Sequence, residues 1–338
     1  MFKNTSSLTL QWALGWLRRL KPVLILVVLA AVTWRVWTLI EELHAHQEGP
    51  GFALNVDAGW LVGAGLAYLI GAAQFGLFWR ELLADLGLAA TRRAALRAYF
   101  IGSVGKYVPG KAWVVIMRTG LLAPGPGRRL PVALTVLYET TSQMALGAAL
   151  AGVCLVAVEP KHWHWWAGGL GIAALLGCVL HPAVFRRLAK LLTLPFKQAA
   201  QDATPRLRYP TLARGSVLIL IGWLLLAGSL AAVAKGIGVD VLLPVDWTRL
   251  CGAAALATAA GFVVPFMPSG IAVRELIIIE LLAPRFGATA ALTASLLLRA
   301  VWTLTEVGVA GLLYVFSPKT KLAVDGDHDS ASPDSPES

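Results

Sequence analysis

The chain has 338 residues, 57% hydrophobic and only 14% charged, with a mean hydropathy of +0.68. A soluble domain carries roughly 45–50% apolar and about 25% charged residues, and a fold of this size has no interior large enough to hide the difference, so most of the apolar surface must face lipid. The net charge of +10 and pI near 9.8 do not indicate nucleic acid, because the basic residues fall between long apolar runs and not along one phosphate-neutralising groove.

In chain order, residues 1–21 form a basic start with Trp12, Trp16, Arg18, Arg19 and Lys21, suited to lie in the interface as an amphipathic helix. A span needs about 20 mostly apolar residues. That length predicts spans at 22–40, 58–79, 131–157, 164–182, 215–234 and 288–316, the first of them uncleaved because no small-residue cleavage site follows it. Two further apolar regions, 94–123 and 248–285, are interrupted by Pro and Gly and do not read as clean spans. Residues 22–316 thus form one transmembrane domain, with possible halves 22–157 and 164–316, and residues 317–338 form an acidic, Ser/Pro-rich tail expected to be disordered.

Basic residues set the orientation. Lys3, Arg18, Arg19 and Lys21 precede the first span and Arg80, Arg92, Arg93 and Arg97 follow the second. Arg186, Arg187, Lys190, Lys197, Arg206, Arg208 and Arg214 fill the central loop. By the positive-inside rule both termini and the central loop are cytoplasmic, in a cell (plasma) membrane protein. The 94–123 region then enters and leaves from the inside and the 248–285 region from the outside. The expected fold is all-α and polytopic, with six full spans and two re-entrant broken-helix hairpins in an inverted repeat, the plan of transporters with a midplane site. Eight full spans is the alternative.

The first break reads Gly102-Ser-Val-Gly105-Lys106-Tyr107-Val-Pro109-Gly110-Lys111-Ala112-Trp113. It matches most of a P-loop, but Ala112 stands where the Mg-binding Ser/Thr would be and Pro109 removes a donor from the cradle. Pro109-Gly110 instead ends one half-helix and begins another, whose free N–H groups and dipole favour an anion. Lys106, Lys111 and Arg118 add cations within reach; the competing reading is that they snorkel to headgroups. The second break, around Pro265, Pro268 and Gly270, is followed by Arg274-Glu275, which either serves a ligand or neutralises itself as structural glue.

Glu139, Arg299 and Glu306 lie deep in otherwise apolar spans. A charge at bilayer centre costs at least about 2.5–3.5 kcal/mol, so each needs a partner or a watery cavity. Arg299 and Glu306 are two helical turns apart, about 10.5 Å along the axis, too far to touch but placed to line one cavity. A buried structural ion pair is the alternative for these carboxylates. His44-x-His46 and His162-x-His164 have no third metal ligand nearby, and Gly168, Gly169 and Gly171 suit close helix packing. Cys154, Cys178 and Cys251 make neither a disulfide framework nor a zinc spacing.

The set GSVGKYVPGKAW, the Glu139 span, PSGIAVRE and LLLRAVWTL resembles the flippase-like family, the transmembrane region of lysylphosphatidylglycerol synthetase/flippase, over residues 20–316. The usual PGG-x-G appears as Pro268-Ser269-Gly270-Ile271-Ala272, with two glycines replaced. The resemblance implies translocation of a lipid or lipid-linked substrate. The soluble aminoacyl-transfer domain of bifunctional members is expected to be absent. The expected substrate is an anionic phospholipid or polyprenyl-phosphate-linked lipid, held by Lys106, Tyr107, Pro109, Gly110, Lys111, Arg118, Glu139, Pro268, Gly270, Arg274, Glu275, Arg299 and Glu306, with no cofactor, metal or nucleic acid. A membrane glycosyl- or lipid-transferase, or a non-transporting partner of a lipid synthase, are the alternatives.

Overall fold

The computed structural model describes residues 56–88, 90–107, 112–122, 126–181, 183–185, 187, 208–241, 243–263 and 273–316. The predicted first span, the basic start, His44, His46 and the tail lie outside these residues, as do Pro109, Gly110, Lys111, Pro268 and Gly270. Every regular element among the described residues is helical. The order is α1 (Ala58–Asp85), α2 (Arg92–Ser103) with a 3-10 turn (Val104–Tyr107), α3 (Ala112–Leu122), α4 (Pro126–Val158), α5 (Trp163–Leu180), α6 (Tyr209–Gly236), α7 (Pro244–Val263), α8 (Val273–Phe286) and α9 (Ala288–Phe316).

Five of these, α1, α4, α5, α6 and α9, are long and apolar enough to cross a membrane, and they coincide with the predicted spans from 58 onward. The protein is an all-α, multi-pass membrane protein. Helices α1, α4 and α6 overrun the predicted spans, because apolarity ends at the first charges while backbone hydrogen bonding continues to a cap. In α1 it continues past Arg80 and Glu81 to Gly87, whose φ of 69° only glycine adopts readily. There Leu88 N–H donates to Leu83 O at 3.0 Å and Gly87 N–H to Ala84 O at 2.9 Å, a Schellman stop. Helix α6 ends the same way at Gly238, with Val239 donating to Ala234 O at 3.0 Å.

On α1 the apolar Val62, Leu66 and Ile70 stay exposed at four-residue spacing while Tyr68, Ala72, Phe75 and Trp79 are buried. The helix thus has a lipid face and a protein face. Lipid tails are as apolar as leucine, so burial alone does not drive such helices together, and close backbone approach does more. Helices α1 and α6 cross at Gly71 and Gly222, where a Cβ on either would stand 3.0 Å from the other's carbonyl oxygen. Helices α4 and α5 meet through Gly152 and Gly169 in the same manner; Gly168 and Gly171 face open space and take no part.

The two broken regions are antiparallel helical pairs. In the first, Gly102 lies against Arg118 and Gly105 against Trp113 and Val114, so α3 runs back along α2. The arms have 12 and 11 residues, about 18 and 16 Å of helix, roughly half of a hydrocarbon core about 30 Å thick. In the second, Asp246 accepts from Arg285 Nε at 2.8 Å, Arg249 donates to Leu281 O at 3.1 Å, and Arg274 donates to Thr258 Oγ1 at 3.2 Å. These contacts run α8 back along α7.

The pairs enter from opposite ends of the bundle. The base of the first lies where α9 ends, Arg97 donating to Leu313 O at 3.3 Å. The base of the second lies where α4 ends, Arg249 bonding Glu159. Packing is reciprocal: the first pair leans on α9 of the second half, and the second pair leans on α4 of the first. Helices α1 and α6 pack against each other and end in matching caps.

The glycine crossing yields a stability test. Gly222→Leu, which drives side-chain atoms into Phe75 and the Gly71 carbonyl, lowers stability by about 1–3 kcal/mol. Gly63→Leu, whose Cβ meets nothing within 4 Å, leaves it unchanged. Thermal unfolding of the purified protein in detergent compares the two.

Candidate functional site

Two charged clusters form inside the helices, one at each hairpin. In the first, Arg118 of α3 donates from NH1 to Glu139 Oε2 of α4 at 2.8 Å and from NH2 to Ser103 Oγ at 3.2 Å. Its guanidinium lies 3.9 Å from the Tyr99 ring centroid and 5.3 Å from that of Trp79, and Thr140 adds a hydroxyl to Glu139 at 3.2 Å. Both side chains are almost wholly enclosed, with 4% and 1% exposure. Glu139 is therefore held in a buried ion pair.

The second cluster joins the halves. Glu306 of α9, 3% exposed, accepts from Lys106 at the end of the first hairpin's leading arm and from Tyr68 of α1. Tyr107 Oη lies 2.6 Å from Glu306 Oε2 and 3.3 Å from Thr303 Oγ1. One carboxylate thus ties together α1, α9 and the first hairpin. Tyr68 in turn stacks on Trp302, centroids 4.7 Å apart, and the Trp302 indole N–H donates to Ser229 Oγ of α6 at 2.9 Å.

Arg274 and Glu275, adjacent at the start of α8, do not neutralise each other, since neighbouring helical residues point about 100° apart. Glu275 pairs with Arg299 of α9, while Arg274 places its guanidinium 4.9 Å from the Trp302 ring and bonds Thr258. Arg299 and Glu306 accordingly sit on one helix, each with its own partner from a different hairpin. Between the hairpins lies a cavity of about 20 Å³, room for about one water, lined by Lys106, Tyr107, Arg274, Glu275, Ser295 and Arg299 among others.

Of the sequence-predicted site residues, the structure brings Lys106, Tyr107, Arg274, Glu275, Arg299 and Glu306 together at this cavity and gathers Arg118 and Glu139 in a separate, closed pair. Tyr68, Trp302 and Ser295 went unnoticed in the sequence. A tyrosine, tryptophan or serine in the middle of a span is too common to stand out, and only the fold puts these three beside the charges. Among the described residues no group of three or more His, Cys, Asp or Glu is placed to hold a metal.

The closed pair can be tested directly. Arg118→Ala leaves Glu139 buried without its cation and lowers stability by about 3–5 kcal/mol, whereas Arg118→Met combined with Glu139→Leu recovers most of the loss. Thermal unfolding in detergent, read on the single and the double variant, measures this.

A search of curated proteins returned no match. Residues 20–308 match the family described as the lysylphosphatidylglycerol synthase TM region, which takes in all five observed spans, the last up to residue 308, and both helical pairs. With most of its length covered, the chain belongs to the lysylphosphatidylglycerol synthase transmembrane family.

Proposed function

We propose that this protein is a flippase that moves a lipid with an anionic headgroup, an anionic phospholipid or a polyprenyl-phosphate-linked lipid, between the leaflets of the plasma membrane. Its termini are cytoplasmic, and its two helical pairs re-enter the bilayer from opposite faces. The observation that carries this reading is the charged cavity walled by both halves at once. Lys106 and Tyr107 come from the first hairpin, Arg274 and Glu275 from the second, and Arg299 from the span that both contact.

Charges placed at this depth are tolerated only in a protein-lined or watery site, and a site between two inverted halves can open to either side by rocking one against the other. The cavity as it stands holds no more than a water, so it corresponds to a closed state. Opening separates the first hairpin from α9, which breaks the Lys106–Glu306 bond. A headgroup phosphate then takes the place of the Glu306 carboxylate on Lys106, and the released carboxylate faces the polar part of the headgroup. Exchange of one anion for another keeps the cation satisfied throughout. Movement is downhill or coupled to an ion.

Reconstitution into liposomes with fluorescent lipids checks this. Wild type moves the labelled anionic lipid faster than protein-free vesicles, and Lys106→Gln and Glu306→Gln each slow it roughly tenfold, the worth of one charge-assisted hydrogen bond. If both variants move every tested lipid at the wild-type rate, the transport site lies elsewhere.

A further inference from the structure

The cavity between the hairpins carries a charge count and two unanswered hydrogen-bonding atoms. Three cations, Lys106, Arg274 and Arg299, stand against two carboxylates, Glu275 and Glu306. Lys106 is matched by Glu306 and Arg299 by Glu275. Arg274 donates to the Thr258 hydroxyl and lies over the face of Trp302, and no carboxylate among the described residues is in ion-pair contact with it. The site is left one positive charge in excess. In a low-dielectric interior an excess of this kind favours a ligand bearing one negative charge and disfavours a neutral or cationic one.

The second observation concerns the same walls. Glu275 Oε2 and Ser295 Oγ are buried polar atoms without a hydrogen-bond partner among the described residues, and both residues line the cavity. A buried carboxylate oxygen lacking a donor has lost its hydration without replacement. Its natural complement is an O–H, and the serine can accept or donate to a second hydroxyl. We infer that the cavity is built for a phosphodiester of net charge −1 whose headgroup carries hydroxyls, with the phosphate shared between Lys106 and Arg274 and the hydroxyls on Glu275 Oε2 and Ser295 Oγ. Phosphatidylglycerol and a polyprenyl-phosphate sugar share that chemistry. This inference rests on the proposed transport site and names the headgroup that site selects.

Purified wild-type protein in vesicles is offered phosphatidylglycerol, phosphatidylethanol (net −1 without hydroxyls), phosphatidylethanolamine and lysylphosphatidylglycerol (net +1). Bound lipid is measured by native mass spectrometry and movement by a fluorescent-lipid assay. Phosphatidylglycerol binds roughly tenfold more tightly than each of the other three. Arg274→Gln loses roughly tenfold of that affinity while Arg274→Lys keeps most of it, and Ser295→Ala narrows the gap between phosphatidylglycerol and phosphatidylethanol. Thermal unfolding confirms that each variant is folded, and Arg274→Lys and Ser295→Ala stand in should Arg274→Gln not fold.

Equal binding of phosphatidylglycerol and lysylphosphatidylglycerol, or unchanged binding in folded Arg274→Gln, overturns the inference. Displacement of the lipid by inorganic phosphate at matched concentration also overturns it, in favour of a soluble anion. Binding with the expected preferences but without movement upholds the site and removes the transport reading. Movement of all four lipids at one rate does the reverse.

Discussion

A carboxylate surrounded by hydrocarbon must find donors, and in this protein Glu306 finds three of them on two distant parts of the chain. Tyr68 reaches it from α1, and Lys106 and Tyr107 reach it from the first helical pair. The desolvation cost of one ionised group in the last span is thereby turned into a tie between sequence-distant elements, 200 residues apart in the case of Lys106. Beside that tie, the first hairpin is held against α9 by apolar contact, the Tyr107–Thr303 hydroxyl pair and Arg97 on Leu313 O.

The two halves solve the same problem with opposite signs. In the first, the hairpin supplies the cation, Arg118, and the following span supplies the carboxylate, Glu139. In the second, the hairpin supplies the carboxylate, Glu275, and the following span supplies the cation, Arg299. The first pair is closed off under Tyr99 and Trp79 and suits a structural role; the second borders the cavity, where Arg274 has no ion-pair contact with a carboxylate among the described residues. The two ion pairs thus differ in surroundings, one enclosed and the other beside the cavity.

Much of this was legible in the sequence, for physical reasons that can be named. Runs of about twenty apolar residues must be helices across a bilayer, so the spans from 58 onward were readable from composition alone. The breaks between the paired helices were readable because Pro and Gly interrupt the apolar runs there. Which charge pairs with which was not. Arg118 lies near Lys106 in sequence yet bonds Glu139, and Arg274 lies beside Glu275 yet leaves it to Arg299. Helical geometry sends neighbours in different directions, and partners come from elements whose approach depends on glycines such as Gly71 and Gly222 that carry no chemical signal of their own. The role of Tyr68 was invisible for the same reason.

If the closed seam between the first hairpin and α9 must part for a headgroup to pass, holding it shut stops transport. Tyr107 and Thr303 face each other across that seam, their hydroxyl oxygens 3.3 Å apart. Cysteines at these two positions, in a chain with Cys154, Cys178 and Cys251 replaced by alanine, can be joined by a short cleavable linker. The predicted result is lipid movement at the rate of protein-free vesicles while the linker is intact and recovery when it is cut. Equal rates before and after cleavage would contradict an opening at this seam.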